Sequence, residues 1–364
     1  FAQRHRDKES SPALHDKRPS MAEGCGNRLS GNSKRQAAQL LFEPLEPRLL
    51  LSADVIAVDL SNGADAHQNH SLLIRQIEET EIVGDQTVSV QRVQVVDQNS
   101  GMVLAFGDRS QIEAIVIHTG SGFDSLTVQL DYPNDVLPTI AFDGGGGADR
   151  IFVEASSLGT QPFTWTVDGD NSGTLTGPLS IDFSSVENLS GSDDTEDTFV
   201  LTADGHLDGI LDGGLRGFDT LVLDGGSFAR VAYAATGPDS GTIDRDGQIV
   251  AYAGLEPIVD NAIVADWVFD PGAGLLDGHD RAELRWAGAD YVNGPNYMVM
   301  ESLDGHFETV FFHTPTGSIT VDLGQIAPSR PGGRDTRPAL RLVAAQQPAP
   351  GETGTPPSGV RRVL

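Results

Sequence analysis

The stretch Gly144-Gly145-Gly146-Gly147-Ala148-Asp149-Arg150-Ile151-Phe152-Val153 decides how the chain is read. Its glycines admit backbone conformations with positive φ, and the short aspartate accepts hydrogen bonds from nearby amides, so the run opens with a tight turn. Ile151 and Val153 stand two and four positions beyond Asp149. In an extended chain those side chains share one face, which predicts a strand with one apolar side.

Working outward, an aspartate with apolar residues at +2 and +4 recurs at Asp124 (Leu126, Val128), Asp197 (Phe199, Leu201) and Asp219 (Leu221, Leu223). Glycine precedes the aspartate by two positions at Gly122, Gly147 and Gly217. The aspartates lie 25, 48 and 22 residues apart, close to one, two and one units of about 24. Gly173-Thr174-Leu175-Thr176 reads as a degenerate copy in the empty slot. A unit of that length suits three short strands with turns, one coil of a β-solenoid in which like positions stack.

The expected fold is all-β. A β-solenoid or parallel β-helix-like stack covers residues 55–224, a second β-rich module covers 225–324, and the termini are disordered. A sandwich with irregular hairpins is the competing architecture. Helical periodicity is nearly absent, and Ser71–Ile82 is the best helical candidate. Residues 1–41 form a polar, basic, aperiodic leader. Residues 325–364, rich in Pro, Arg and Ala, form a tail without strand pattern, read as a disordered linker or as a frameshifted or truncated end. The chain opens on Phe1, and Met21 is the expected start.

Charge is segregated. Residues 49–324 hold nine basic against 44 acidic residues, and no lysine follows Lys34. Such a body repels nucleic acid phosphates and anionic membranes, so neither is an expected partner. It also fits a salt-adapted protein, an explanation that needs no site at all. No apolar run approaches the roughly 20 residues of a membrane helix, and Leu49-Leu50-Leu51 is too short for the core of a cleavable signal. The only cysteine is Cys25, so disulfides do not hold the fold.

Residues 42–54 read Phe42-Glu43-Pro44-Leu45-Glu46-Pro47-Arg48-Leu49-Leu50-Leu51-Ser52-Ala53-Asp54. This run resembles the LEPR-XLL motif found near the N-terminus of very large bacterial secreted and surface proteins. Val186-Glu187-Asn188-Leu189-Ser190-Gly191 and Ala251-Tyr252-Ala253-Gly254-Leu255-Glu256-Pro257-Ile258 resemble connectors seen in such proteins. The likeness implies an extracellular or cell-surface location, and a cell-surface or matrix polysaccharide or protein as partner. Gly144–Phe152 also fits the calcium-roll nonapeptide of RTX proteins, in which glycine turns and an aspartate build an oxygen cage. That resemblance makes Gly145, Gly147, Asp149, Asp124 and Asp219 the candidate calcium ligands. Calcium rolls need nonapeptides in tandem and here each copy stands alone, so a metal-free role in ordering turns is ranked above bound calcium.

Catalytic signatures are missing: the sequence has no G-x-S-x-G, no H-E-x-x-H and no P-loop. His67 and His70 have metal-like spacing but read as a solvated pair in a polar loop. Asp193, Asp194, Glu196 and Asp197 read as a solvated acidic loop. Trp165, Trp267, Trp286, Tyr233, Tyr252, Tyr291 and Tyr297 offer a sugar-stacking face, weighed against ordinary core positions. The function expected is a structural and adhesive part of a large secreted repeat protein, without catalysis. The alternatives are a calcium-binding RTX-like module and a carbohydrate-active β-helix enzyme.

Overall fold

The computed structural model describes residues 54–63, 65–130, 137–155, 161–271, 282–287, 296–321 and, as backbone, 360–362. The leader, residues 42–53 of the LEPR-XLL-like run and most of the tail lie outside the described residues. Among the described residues every regular element is a strand, and the strands form two large mixed sheets.

The first sheet runs, in spatial order, β1 (Asp54–Asp59), β5 (Ile112–His118), β7 (Thr139–Asp143), β11 (Ile181–Ser184), β10 (Ser172–Thr176), β9 (Thr164–Gly169), β13 (Thr198–Thr202), β15 (Thr220–Asp224), β19 (Ile258–Asp260), β23 (Val310–His313), β22 (Tyr297–Ser302) and β21 (Ala282–Trp286). The second runs β25 (Val360–Arg362), β24 (Ser318–Val321), β20 (Ile263–Asp270), β16 (Ser227–Gly237), β17 (Ser240–Arg245), β18 (Gln248–Ala253), β14 (Ile210–Asp212), β12 (Asn188–Ser190), β8 (Arg150–Glu154), β6 (Ser125–Gln129), β2 (Ser71–Val83), β3 (Gln86–Asp97) and β4 (Met102–Asp108).

The chain alternates between the sheets, and strands of successive coils pair in parallel, as β5 with β7 and β6 with β8. A plain coil therefore holds two strands rather than the three expected from its length; its corners take up the remaining residues. Four times the chain lays down an antiparallel meander of three strands where a plain coil has one: β2–β4, β9–β11, β16–β18 and β21–β23. In β9–β11 and β16–β18 the last strand joins the previous coil and the first strand joins the next. Successive meanders fall in the second, first, second and first sheets. Each widens its own sheet by two extra strands, so the alternation keeps the two sheets matched in length.

The apolar residues at +2 and +4 from the four aspartates are all buried, between 0% and 1% exposed, and form part of one core between the sheets. Three expectations are corrected. Ser71–Val83 is a strand, not a helix: it pairs with β3 through twelve successive residue partners, and Leu72 and Ile74 alternate into the core. Gly173–Thr176 is not a copy of the aspartate unit, because it lies in the antiparallel strand β10 between β9 and β11. The tail contributes one short strand, β25, parallel to β24; an unpaired sheet edge accepts any extended backbone, whatever its sequence pattern. The change of sequence character after Asp224 meets no break in either sheet, since β15 pairs with β19 and β14 with β18 across it.

Candidate functional site

The corner aspartates collect into two columns, one at the leading corners of each sheet. In the second sheet, register places His70, Asp124, Asp149 and Glu187 side by side on successive strands. The backbone N–H of each donates to the carboxylate of the next: His70 to Asp124 Oδ1 at 2.7 Å, Asp124 to Asp149 Oδ1 at 2.7 Å, and Asp149 to Glu187 Oε2 at 2.7 Å. In the first sheet the row is Phe163, Asp197, Asp219, Glu256 and Glu308. Phe163 N–H donates to Asp197 Oδ1 at 3.0 Å, and Asp197 N–H to Asp219 Oδ1 at 2.7 Å. A corner leaves one amide without a ladder partner, and the neighbouring carboxylate supplies it.

Glycine makes the stacking close enough. Gly145 and Gly147 have φ of +81° and +144°, and a Cβ on either would overlap the carbonyl oxygen of Gly120 or Gly122 in the adjacent coil. Five or six residues ahead of three aspartates stands a further glycine, and the second carboxylate oxygen packs against it: Asp149 on Gly144, Asp197 on Gly191, Asp219 on Gly213.

Asp124, Asp149, Asp197 and Asp219 are at most 3% exposed. Burial, then the neighbouring carboxylates Asp124, Glu187 and Asp143, push Asp149 up to about 7, against a hydrogen bond from Asp124 N–H that lowers it. Burial, then Asp197, Glu256 and Asp212, carry Asp219 up to about 7 in the same way, against the Asp197 N–H. Asp197 is raised by burial alone, opposed by three hydrogen bonds, including those from Ser192 N–H and Thr195 Oγ1 to its Oδ2. Asp124 Oδ2 and Asp149 Oδ2 are buried and meet no donor.

Of the five candidate calcium ligands, the structure brings together Asp124, Asp149, Gly145 and Gly147, while Asp219 stands in the other column. Among the described residues no group of three or more His, Cys, Asp or Glu side chains has an arrangement that holds a metal ion. The acidic loop is not uniformly solvated. Asp197 is interior, Asp193 Oδ1 accepts Leu215 N–H at 2.9 Å, and Asp194 pairs with Arg216 at 3.2 Å. His67 and His70 turn to separate partners, Ser121 Oγ and the Asp65 carbonyl. The sugar-stacking face does not form: Trp165, Trp267, Tyr233, Tyr252 and Tyr297 are buried, Trp286 packs against the core, and Tyr291 lies outside the described residues. Their flat rings fill the space between the sheets, where Trp165 stacks on Phe199 and Trp267 on Phe312.

Sequence reasoning missed a buried polar cluster. Asp260 Oδ2 accepts the Tyr233 hydroxyl at 2.6 Å, and its Oδ1 accepts Ala262 N–H at 2.9 Å. Arg245, 1% exposed, donates to the carbonyls of Thr202 and Gly205 and lies over the Phe228 ring. Burial raises Asp260 to about 6, against the lowering effect of Tyr233, Ala262 and Arg245. Nothing in the sequence around these three residues marks them as partners. No family model, curated protein or solved structure matches the chain.

Proposed function

We propose that this protein is a structural and adhesive element of a large secreted or cell-surface β protein, with no catalytic role and with a polysaccharide or protein of the cell surface or matrix as partner. One observation carries the reading. The carboxylates of Asp124, Asp149, Glu187, Asp197 and Asp219, which acid–base or metal chemistry would need, each accept a backbone N–H from the neighbouring coil. One oxygen of each is committed to order between coils. The buried aromatics and the continuous core support the same reading, as does the resemblance of residues 42–54 to LEPR-XLL proteins. The test is antibody labelling of intact cells and culture medium, with the purified chain assayed for retention on, and release of sugars from, a polysaccharide panel. Surface signal and retention without product are expected; signal confined to lysed cells, or steady sugar release, sinks the reading.

A calcium-stiffened module is the second reading, favoured by the buried, donor-free oxygens of Asp124 and Asp149. The readings separate in a melting experiment with calcium against sodium chloride at equal ionic strength. A calcium-specific rise lost in Asp149→Ala supports the metal.

A further inference from the structure

The first sheet's column ends in two rungs built unlike the others. Between Phe163 and Asp197, and between Asp197 and Asp219, a backbone N–H stands between neighbours in the row. Register continues the row to Glu256 and Glu308, because Ile258 is opposite Val310. Here the Glu256 N–H is taken by the Asp219 carbonyl, and Glu308 Oε1 accepts the N–H of Thr309 at 2.6 Å. Register sets the two glutamates side by side on adjacent strands, and neither backbone N–H is placed between their carboxyl groups. Two carboxylates in contact attract only through a proton. Glu308 is 8% exposed, while Glu256 is on the surface. The other groups facing Glu308 are Asp239, from the turn between β16 and β17, and the Tyr252 hydroxyl of β18. His306 shares its loop, and its backbone N–H is held by Ser302 Oγ.

We propose that Glu308 carries a proton in the folded protein at neutral pH and donates it to Glu256, forming a carboxyl–carboxylate latch that ties β23 to β19 and opens in alkali. Losing the proton leaves a buried charge against Glu256 with Asp239 close by, and the contact turns repulsive. Burial first, then Glu256 and Asp239, carry Glu308 up to about 8, against the Thr309 N–H. A carboxyl whose folded value is raised above its unfolded one weighs against folding as it ionises. Its effect is absent below about pH 4.5, grows as pH rises, and is complete above about pH 8.

The test is the melting temperature of the full chain from pH 5 to pH 9, in wild type, Glu308→Gln and Glu256→Gln. Glutamine keeps the size of the protonated acid and still donates to the facing oxygen. Glu308→Gln is expected to match wild type at pH 5 and to melt roughly 3–6 °C higher at pH 9. Wild-type slopes in both variants, or equal losses at both ends of the range, overturn the latch. Infrared spectra of the unheated protein give a second reading. The carbonyl-stretch signal of protonated carboxyls at pH 7 is expected to fall by one group in Glu308→Gln, and an unchanged signal overturns the proposal.

Discussion

At the scale of single residues, the corner is where backbone conformation, packing and charge meet. Gly147 has a positive φ and sits against the Gly122 carbonyl, so Gly147→Ala meets both backbone strain and overlap. A loss of about 2–3 kcal/mol or more is expected in urea unfolding. Asp149→Ala removes the acceptor for Asp124 N–H and is expected to cost about 1–3 kcal/mol at pH 5. Asp149→Asn keeps an acceptor oxygen and cannot ionise. Since Asp149 is raised to about 7 from 3.8, its ionisation opposes folding increasingly as pH climbs between those values. Unfolding at pH 5 and pH 8 is therefore expected to show a smaller fall in stability for Asp149→Asn than for wild type. An equal fall would show that the Asp149 carboxyl is not the group responding.

At the scale of elements, the aspartate corners were legible and the meanders were not. Alternation over Ile151–Val153 or Phe199–Leu201 needs only the two-residue period of an extended chain, and these side chains are buried. In Ser71–Val83 the apolar alternation lasts for Leu72 and Ile74 and then gives way to Glu78, Glu79 and Glu81. What makes the segment a strand is its pairing with β3, with Arg92 bridging Glu79 and Glu81 from across the ribbon. Packing within the meanders is unequal. Trp165 in β9 is wholly buried and stacks on Phe199 with ring centres 5.9 Å apart, whereas Ile82 near the hairpin tip is 79% exposed. Trp165→Ala is expected to cost about 3–5 kcal/mol, and Ile82→Thr to stay within about 0.5 kcal/mol of wild type in the same denaturation assay.

At the scale of the whole molecule, a formal net charge of −28 repels itself in the folded state more than in the expanded one. Sodium chloride is expected to raise the melting temperature steeply up to a few tenths molar, where screening at about 10 Å and less covers most surface pairs. A flat response would mean that the surface carboxylates are spaced too widely to matter. The columns themselves were half legible. The +2 and +4 rule extends to glutamate: Glu308 with Val310 and Phe312 obeys it in full, and Glu187 with Leu189 and Glu256 with Ile258 obey its first part. Glutamate supplies three further members of the two rows. No reading of spacing would have split Asp124 and Asp149 from Asp197 and Asp219. That division depends on the β9–β11 meander, which separates the two pairs along the chain.

The sequence by itself determined the aspartate-led strands and their corners, because glycine's freedom at positive φ and aspartate's short reach to an amide act within a few residues. It likewise determined the buried face of each aspartate-led strand, through side chains that alternate along an extended backbone. Only the tertiary structure decided which sheet each strand joins, where three strands replace one, and which carboxylates become neighbours. Those relations join residues 22 to 54 positions apart, such as Asp197 with Asp219 and His70 with Asp124. They exist only once neighbouring coils have stacked, because the core that fixes their register is shared by both sheets.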